Sequence, residues 1–74
     1  MDGVRSGEGF EIVVNGRLLT TSCGSLAQLV AAQTTAGAKI ATAVNGHFVP
    51  AVLRATTLLQ PGDRVEIVSP RQGG

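Results

Sequence analysis

Phe10-Glu11-Ile12-Val13-Val14-Asn15-Gly16-Arg17-Leu18-Leu19-Thr20-Thr21 is the stretch on which the fold turns. Its first half holds three β-branched residues in a row, and Phe10, Ile12 and Val14 share one face of an extended chain. Asn15-Gly16 is a strong hairpin signal, because both residues tolerate the positive φ that a two-residue turn demands. Arg17 to Thr21 then returns as the antiparallel partner of the first strand.

Working outward, Ser25 can cap a helix whose apolar stripe is Leu26, Leu29 and Val30, with Gln33 at its far end. The stripe is about two turns long and runs out at Thr34-Thr35-Ala36-Gly37, so the helix must lean on a sheet to be stable. Ile40 to Val44 reads as a third strand, Asn45-Gly46 as a second hairpin turn, and His47-Phe48-Val49 as a short fourth strand stopped by Pro50. Ala51 to Leu59 is apolar and irregular, with room for a single helical turn. Pro61-Gly62-Asp63 turns the chain into a fifth strand, Arg64 to Ser69, in which Val65 and Ile67 alternate with Arg64 and Glu66. The order is ββαββ, a connecting turn, then β. That makes an α+β domain of about five strands packed on one short helix. The expected core is Phe10, Ile12, Val14, Leu19, Leu26, Leu29, Val30, Ile40, Leu58, Val65 and Ile67.

Composition narrows the function. Seventy-four residues make one domain, too small to enclose an active site of its own. The organisation predicted is a flexible leader over residues 1–9, the domain over 10–69, and a flexible tail over 70–74. Six basic and five acidic residues are spread along the chain, and no Trp or Tyr is available to stack on bases. Nucleic-acid binding, which needs a concentrated basic surface, is not expected. No segment approaches the roughly 18 apolar residues of a membrane helix, and Met1 to Gly9 lacks the apolar stretch of a secretory signal. Cys23 is the single cysteine and can form no internal disulfide, which points to a reducing compartment. A soluble cytoplasmic protein is the expectation.

The chemistry-bearing candidates lie at the far end. The fifth strand is followed by a spacer, Pro70-Arg71-Gln72, and then by Gly73-Gly74. Without Cβ atoms, a Gly-Gly backbone can enter a slot too narrow for side chains. A carboxylate on its tip would be a reactive group on a thin tether.

These residues together resemble a known family. The block Ala43-Val44-Asn45-Gly46-His47-Phe48-Val49-Pro50, the block Leu59-Gln60-Pro61-Gly62-Asp63-Arg64-Val65-Glu66-Ile67-Val68 and the final Gly73-Gly74 are similar to the ThiS-type sulfur carriers of thiamine biosynthesis, small ubiquitin-like β-grasp proteins. The resemblance spans roughly residues 10 to 74. It implies a mixed β-grasp sheet with the first and last strands parallel at the centre. It also implies a carrier rather than an enzyme, with Gly74 as the reacting residue and Gly73 beside it. An E1-like adenylyltransferase would activate the Gly74 carboxylate with ATP. A sulfur donor such as a cysteine desulfurase would turn it into a thiocarboxylate, and a thiazole synthase would take the sulfur. No cofactor or metal is expected on the chain itself, since ATP is used by the activating partner. Members of the family often carry Arg directly after the Val-Pro and an aromatic three residues further on; here those places hold Ala51 and Arg54.

Three rival readings differ in the fate of the tail. One is a sulfur carrier for another client, such as the small subunit of molybdopterin synthase or a carrier for cysteine or secondary-metabolite synthesis. Another is a ubiquitin-like protein modifier, in which Gly74 ends on a lysine amine. The third is a β-grasp binding module whose glycines are mere tail.

Remaining residues carry less. Cys23, with no second Cys and no nearby His, reads as an incidental, partly buried thiol, and His47 alone makes no metal site. Arg5, Arg17, Arg54 and Arg64 read as solvated surface. Arg71 is either a solvent-facing charge or, with Gln72, a contact to an acidic groove on a partner. Val13 and Val68 have the parity opposite to the core residues of their strands. With the first and last strands adjacent, they would form a small exposed apolar docking patch.

Overall fold

Both Asn-Gly pairs make the turns that their chemistry favours. In the computed structural model, which describes residues 9–35 and 37–69, Asn15 and Gly16 sit at φ 51° and 82°, and Asn45 and Gly46 at 53° and 84°. Positive φ at both turn positions twists the connection in the same sense as the strands it joins, so each turn closes a tight hairpin. The first joins β1 (Phe10–Val14) to β2 (Arg17–Thr21), with Phe10 opposite Thr21 and Val14 opposite Arg17. The second joins β3 (Ala41–Val44) to β4 (His47–Val49).

Between the hairpins runs α1 (Leu26–Gln33), whose start is fixed by a reciprocal cap. The Gln28 amide donates to the Ser25 hydroxyl at 3.2 Å, while the Gln28 side-chain oxygen accepts from the Ser25 and Gly24 amides at 3.2 and 2.7 Å. Two amides that the first turn leaves without helical acceptors, those of Ser25 and Gln28, are thereby satisfied, along with the Gly24 amide just before the cap. Leu26 and Leu29 are fully buried and Val30 half-buried, but Gln33 is exposed, so the apolar stripe ends one turn earlier than expected.

A fifth strand, β5 (Arg64–Val68), lies in the middle of the sheet, whose order is β2-β1-β5-β3-β4. It runs parallel to β1, with Val13 opposite Arg64 and Val14 opposite Val65, and antiparallel to β3. The resemblance implied this mixed sheet with first and last strands parallel. One sheet face covers the core: Ile12, Val14, Val49 and Val65 meet Leu26 and Leu29 of the helix and Leu59 of the loop before β5. Phe10, Leu19, Val30 and Ile67 pack against that cluster.

The structure departs from the expected pattern in four places. Leu58 is 65% exposed, and Leu59 takes the core position at 6%. Residues 57–59 run extended beside residues 24–26, with Leu26 N–H donating to Thr57 O at 2.8 Å and Leu59 N–H to Gly24 O at 3.0 Å. In an extended segment alternate residues face opposite ways, and this pairing turns Leu59 inward. Val49 belongs to the core although Pro50 follows it. Ile40 precedes β3 rather than starting it and is half-buried. Finally, the segment after Pro50 forms a six-residue 3-10 helix, Ala51–Thr56, whose Val52 and Leu53 face outward.

Of the leader predicted over residues 1–9, residues 1–8 lie outside the described residues, as does the tail predicted over 70–74.

Candidate functional site

The centre of the sheet delivers the chain toward the sequence candidates. β5 ends at Val68, Ser69 follows, and Arg71, Gln72, Gly73 and Gly74 lie outside the described residues.

Two asparagines hold β5, one at each end. At its start, Asn45 N–H donates to Arg64 O at 2.7 Å, its side-chain Oδ1 accepts from Arg64 N–H at 2.9 Å, and its Nδ2 donates to Asp63 Oδ1 at 3.0 Å. Asp63 also accepts from Gln60 N–H through Oδ2 at 2.9 Å, which closes the turn before the strand. At the other end, Asn15 Nδ2 donates to Ile67 O at 3.0 Å and Oδ1 accepts from Ile67 N–H at 2.9 Å. From sequence, both asparagines were legible only as turn residues, since their strand partners lie far along the chain.

The outer face of the sheet, away from the helix, is where β5 places Arg64, Glu66 and Val68. Val13 and Val68 both belong to this face but do not form one patch. Val13 is half-buried opposite Leu18 and Arg64, whereas Val68 is 54% exposed beyond Glu66, paired with Ala41 of β3. Strand alternation puts the charged Arg64 and Glu66 between them. Each valine has its own apolar neighbours. Leu18 and Pro61 lie with Val13, while Ala41, Ala43 and Phe48 line a shallow groove with Val68 and Glu66. Phe48, one of the chain's two aromatics, is 68% exposed there, a position that sequence analysis passed over. Its signal was parity, because Val49 beside it points into the core.

Of the arginines read as solvated, Arg54 is not. Its Nε donates to the Thr42 hydroxyl and its Nη2 to Ile40 O, both at 3.0 Å. The guanidinium reaches inward because the hydroxyl of Thr42, 1% exposed, and the carbonyl of Ile40 offer a fork of acceptors beside β3. Cys23 is half-buried against the core, and His47 is exposed at the start of β4. Among the described residues, no three His, Cys, Asp or Glu side chains come together, and no helix is long and apolar enough to cross a membrane.

Five strands in this order, with parallel first and last strands at the centre and one helix across a single face, define a β-grasp domain. The chain belongs to the ThiS family, whose model matches residues 7–74. The solved crystal structure of a thiamine biosynthesis protein, ThiS, from Geobacter metallireducens is similar, with a TM-score of 0.73 and 26% sequence identity. The match covers 88% of this chain and the whole of that one. No curated protein matches the chain.

Proposed function

We propose that this chain is the sulfur carrier of thiamine biosynthesis and that its reacting group is the carboxylate of Gly74. The observation that carries the reading is the family match over residues 7–74, which takes in Gly73-Gly74 as well as the domain. A carboxylate is a poor acyl donor because its leaving group would be oxide. In the activating partner, an E1-like adenylyltransferase, a Gly74 carboxylate oxygen attacks the α-phosphorus of ATP and pyrophosphate leaves. A sulfur nucleophile then attacks the acyl carbon, and AMP departs. Hydrosulfide gives the thiocarboxylate directly. A persulfide on a donor such as a cysteine desulfurase gives an acyl disulfide, whose S–S bond a thiol reductant cleaves. The thiocarboxylate sulfur passes to a thiazole synthase.

In this reading the chain is a co-substrate and not an enzyme. ATP belongs to the partner, and a cytoplasmic setting supplies both ATP and thiol reductants. Val68 and Val13 serve docking, Arg71 and Gln72 meet the partner along the tail, and Gly73-Gly74 thread a passage that fits backbone only. Substitution of Gly73 by Val tests this. The variant should melt like the wild type, because a glycine has no side chain to bury among the core residues of β1, β5 and α1. It should not be adenylated, since a β-branched side chain restricts φ and adds bulk beside the reacting carbonyl. Normal adenylation of Gly73→Val would refute the threaded tail.

A further inference from the structure

The parallel ladder between β1 and β5 outlasts the backbone of β1. Val13 N–H donates to Asp63 O and Asn15 N–H to Val65 O, each at 2.9 Å. With two residues of β5 per rung, the next rung belongs to Ile67. There the backbone of residues 15 and 16 has turned away toward β2 at positive φ. The Asn15 carboxamide takes the rung instead, donating to Ile67 O at 3.0 Å and accepting from Ile67 N–H at 2.9 Å. A primary amide presents a donor and an acceptor side by side, as a peptide group does, and so extends a strand that has ended.

This clasp falls where the domain hands over to the tail. Across β5, the pairing with β3 runs on to Val68 opposite Ala41, so Asn15 supplies the matching hold on the β1 side. Ser69 is five residue steps from Gly74, a reach of at most about 18 Å. Over so short a tether, the place and direction of its first residue limit where the carboxylate can go. Freeing Ile67 on that edge would let the end of β5 move, and fixing it again when the partner engages would cost entropy.

We propose that Asn15 is a positioning residue for the reacting terminus: by fixing β5 at Ile67 it sets the point and direction from which residues 69–74 present Gly74 to the activating partner. The inference rests on the sulfur-carrier reading. Asn45 provides an internal control, because it sits in the same kind of turn and clasps Arg64 at the far end of the same strand.

The test compares Asn15→Gly, Asn15→Asp and Asn45→Gly. Glycine adopts positive φ freely, so the turns survive while the clasps are lost. Aspartate keeps the acceptor for Ile67 N–H and loses the donor to Ile67 O. Amide hydrogen exchange is measured on each isolated chain, and adenylation by the E1-like partner is resolved into kcat and KM. In Asn15→Gly, exchange at Ile67 should accelerate and kcat should fall, each by roughly tenfold, the scale of one or two lost hydrogen bonds. KM should stay near wild type because the docking face is untouched. Asn15→Asp should fall between, and Asn45→Gly should accelerate exchange at Arg64 while leaving kcat unchanged. Unchanged kcat in Asn15→Gly, or an equal fall in Asn45→Gly, would overturn the positioning role and leave the carrier reading standing. A wild-type chain that is never adenylated would overturn both, and the exchange data would still show whether the clasp exists.

Discussion

Arg54 and Thr42 are joined by a hydrogen bond of 3.0 Å from the guanidinium Nε to the hydroxyl oxygen, and Thr42 in turn donates to Val49 O at 2.8 Å. With the second guanidinium bond to Ile40 O, this relay ties the 3-10 helix to β3 and β4. A buried hydroxyl used as both donor and acceptor is difficult to replace.

Thr42→Val should therefore destabilise the domain by about 1–3 kcal/mol, the usual cost of leaving a half-buried donor such as Arg54 Nε without its acceptor. The two side chains have nearly the same shape, so packing changes little. Urea unfolding measures the loss. An unchanged midpoint at an unchanged slope would show that the relay contributes nothing.

Leu59→Ala should cost about 2–5 kcal/mol, because it empties a position in the core cluster. Its neighbour Leu58, 65% exposed, should tolerate alanine with a change of about 0.5 kcal/mol or less. Both are read from the same unfolding curves. Equal losses, or the reverse order, would mean that residues 57–59 pair with residues 24–26 in a different register.

That same pair marks the boundary of what the sequence made legible. The hairpins, the cap at Ser25, the Leu26/Leu29 stripe and the Val65/Ile67 alternation are local patterns, so residues a few positions apart suffice to read them. Leu58 and Leu59 are both leucines in an irregular segment, and only the hydrogen bonds to Gly24 and Leu26 decide which faces inward. Arg54 looked like surface because its acceptors, Thr42 and Ile40, lie 12 and 14 positions back in and just before β3. Asn15 looked like a turn residue because Ile67 is 52 positions away. The Gly73-Gly74 candidate is the converse: a sequence motif beyond the residues that the structure describes.

On the outer face, Val68→Asp and Val13→Asp should each raise KM for adenylation by about tenfold, the loss of one apolar contact at the centre of an interface. Thermal stability should change little for Val68→Asp, whose side chain is 54% exposed. Arg64 and Glu66 separate the two valines, so their free-energy effects should add in the double variant. A KM equal to wild type in Val68→Asp would exclude this end of the face from docking. A double variant no worse than either single one would place both valines in one shared contact.

The central claim is that sulfur is carried on Gly74, and intact-mass analysis with C-terminal fragment mapping tests it most directly. The chain is incubated with ATP, the activating enzyme and a sulfur source. The account predicts a mass increase equal to one oxygen exchanged for sulfur, located on the fragment that ends in Gly74 and lost when ATP is withheld. Sulfur found on Cys23 with Gly74 unmodified, or Gly74 joined to a lysine amine, would contradict it.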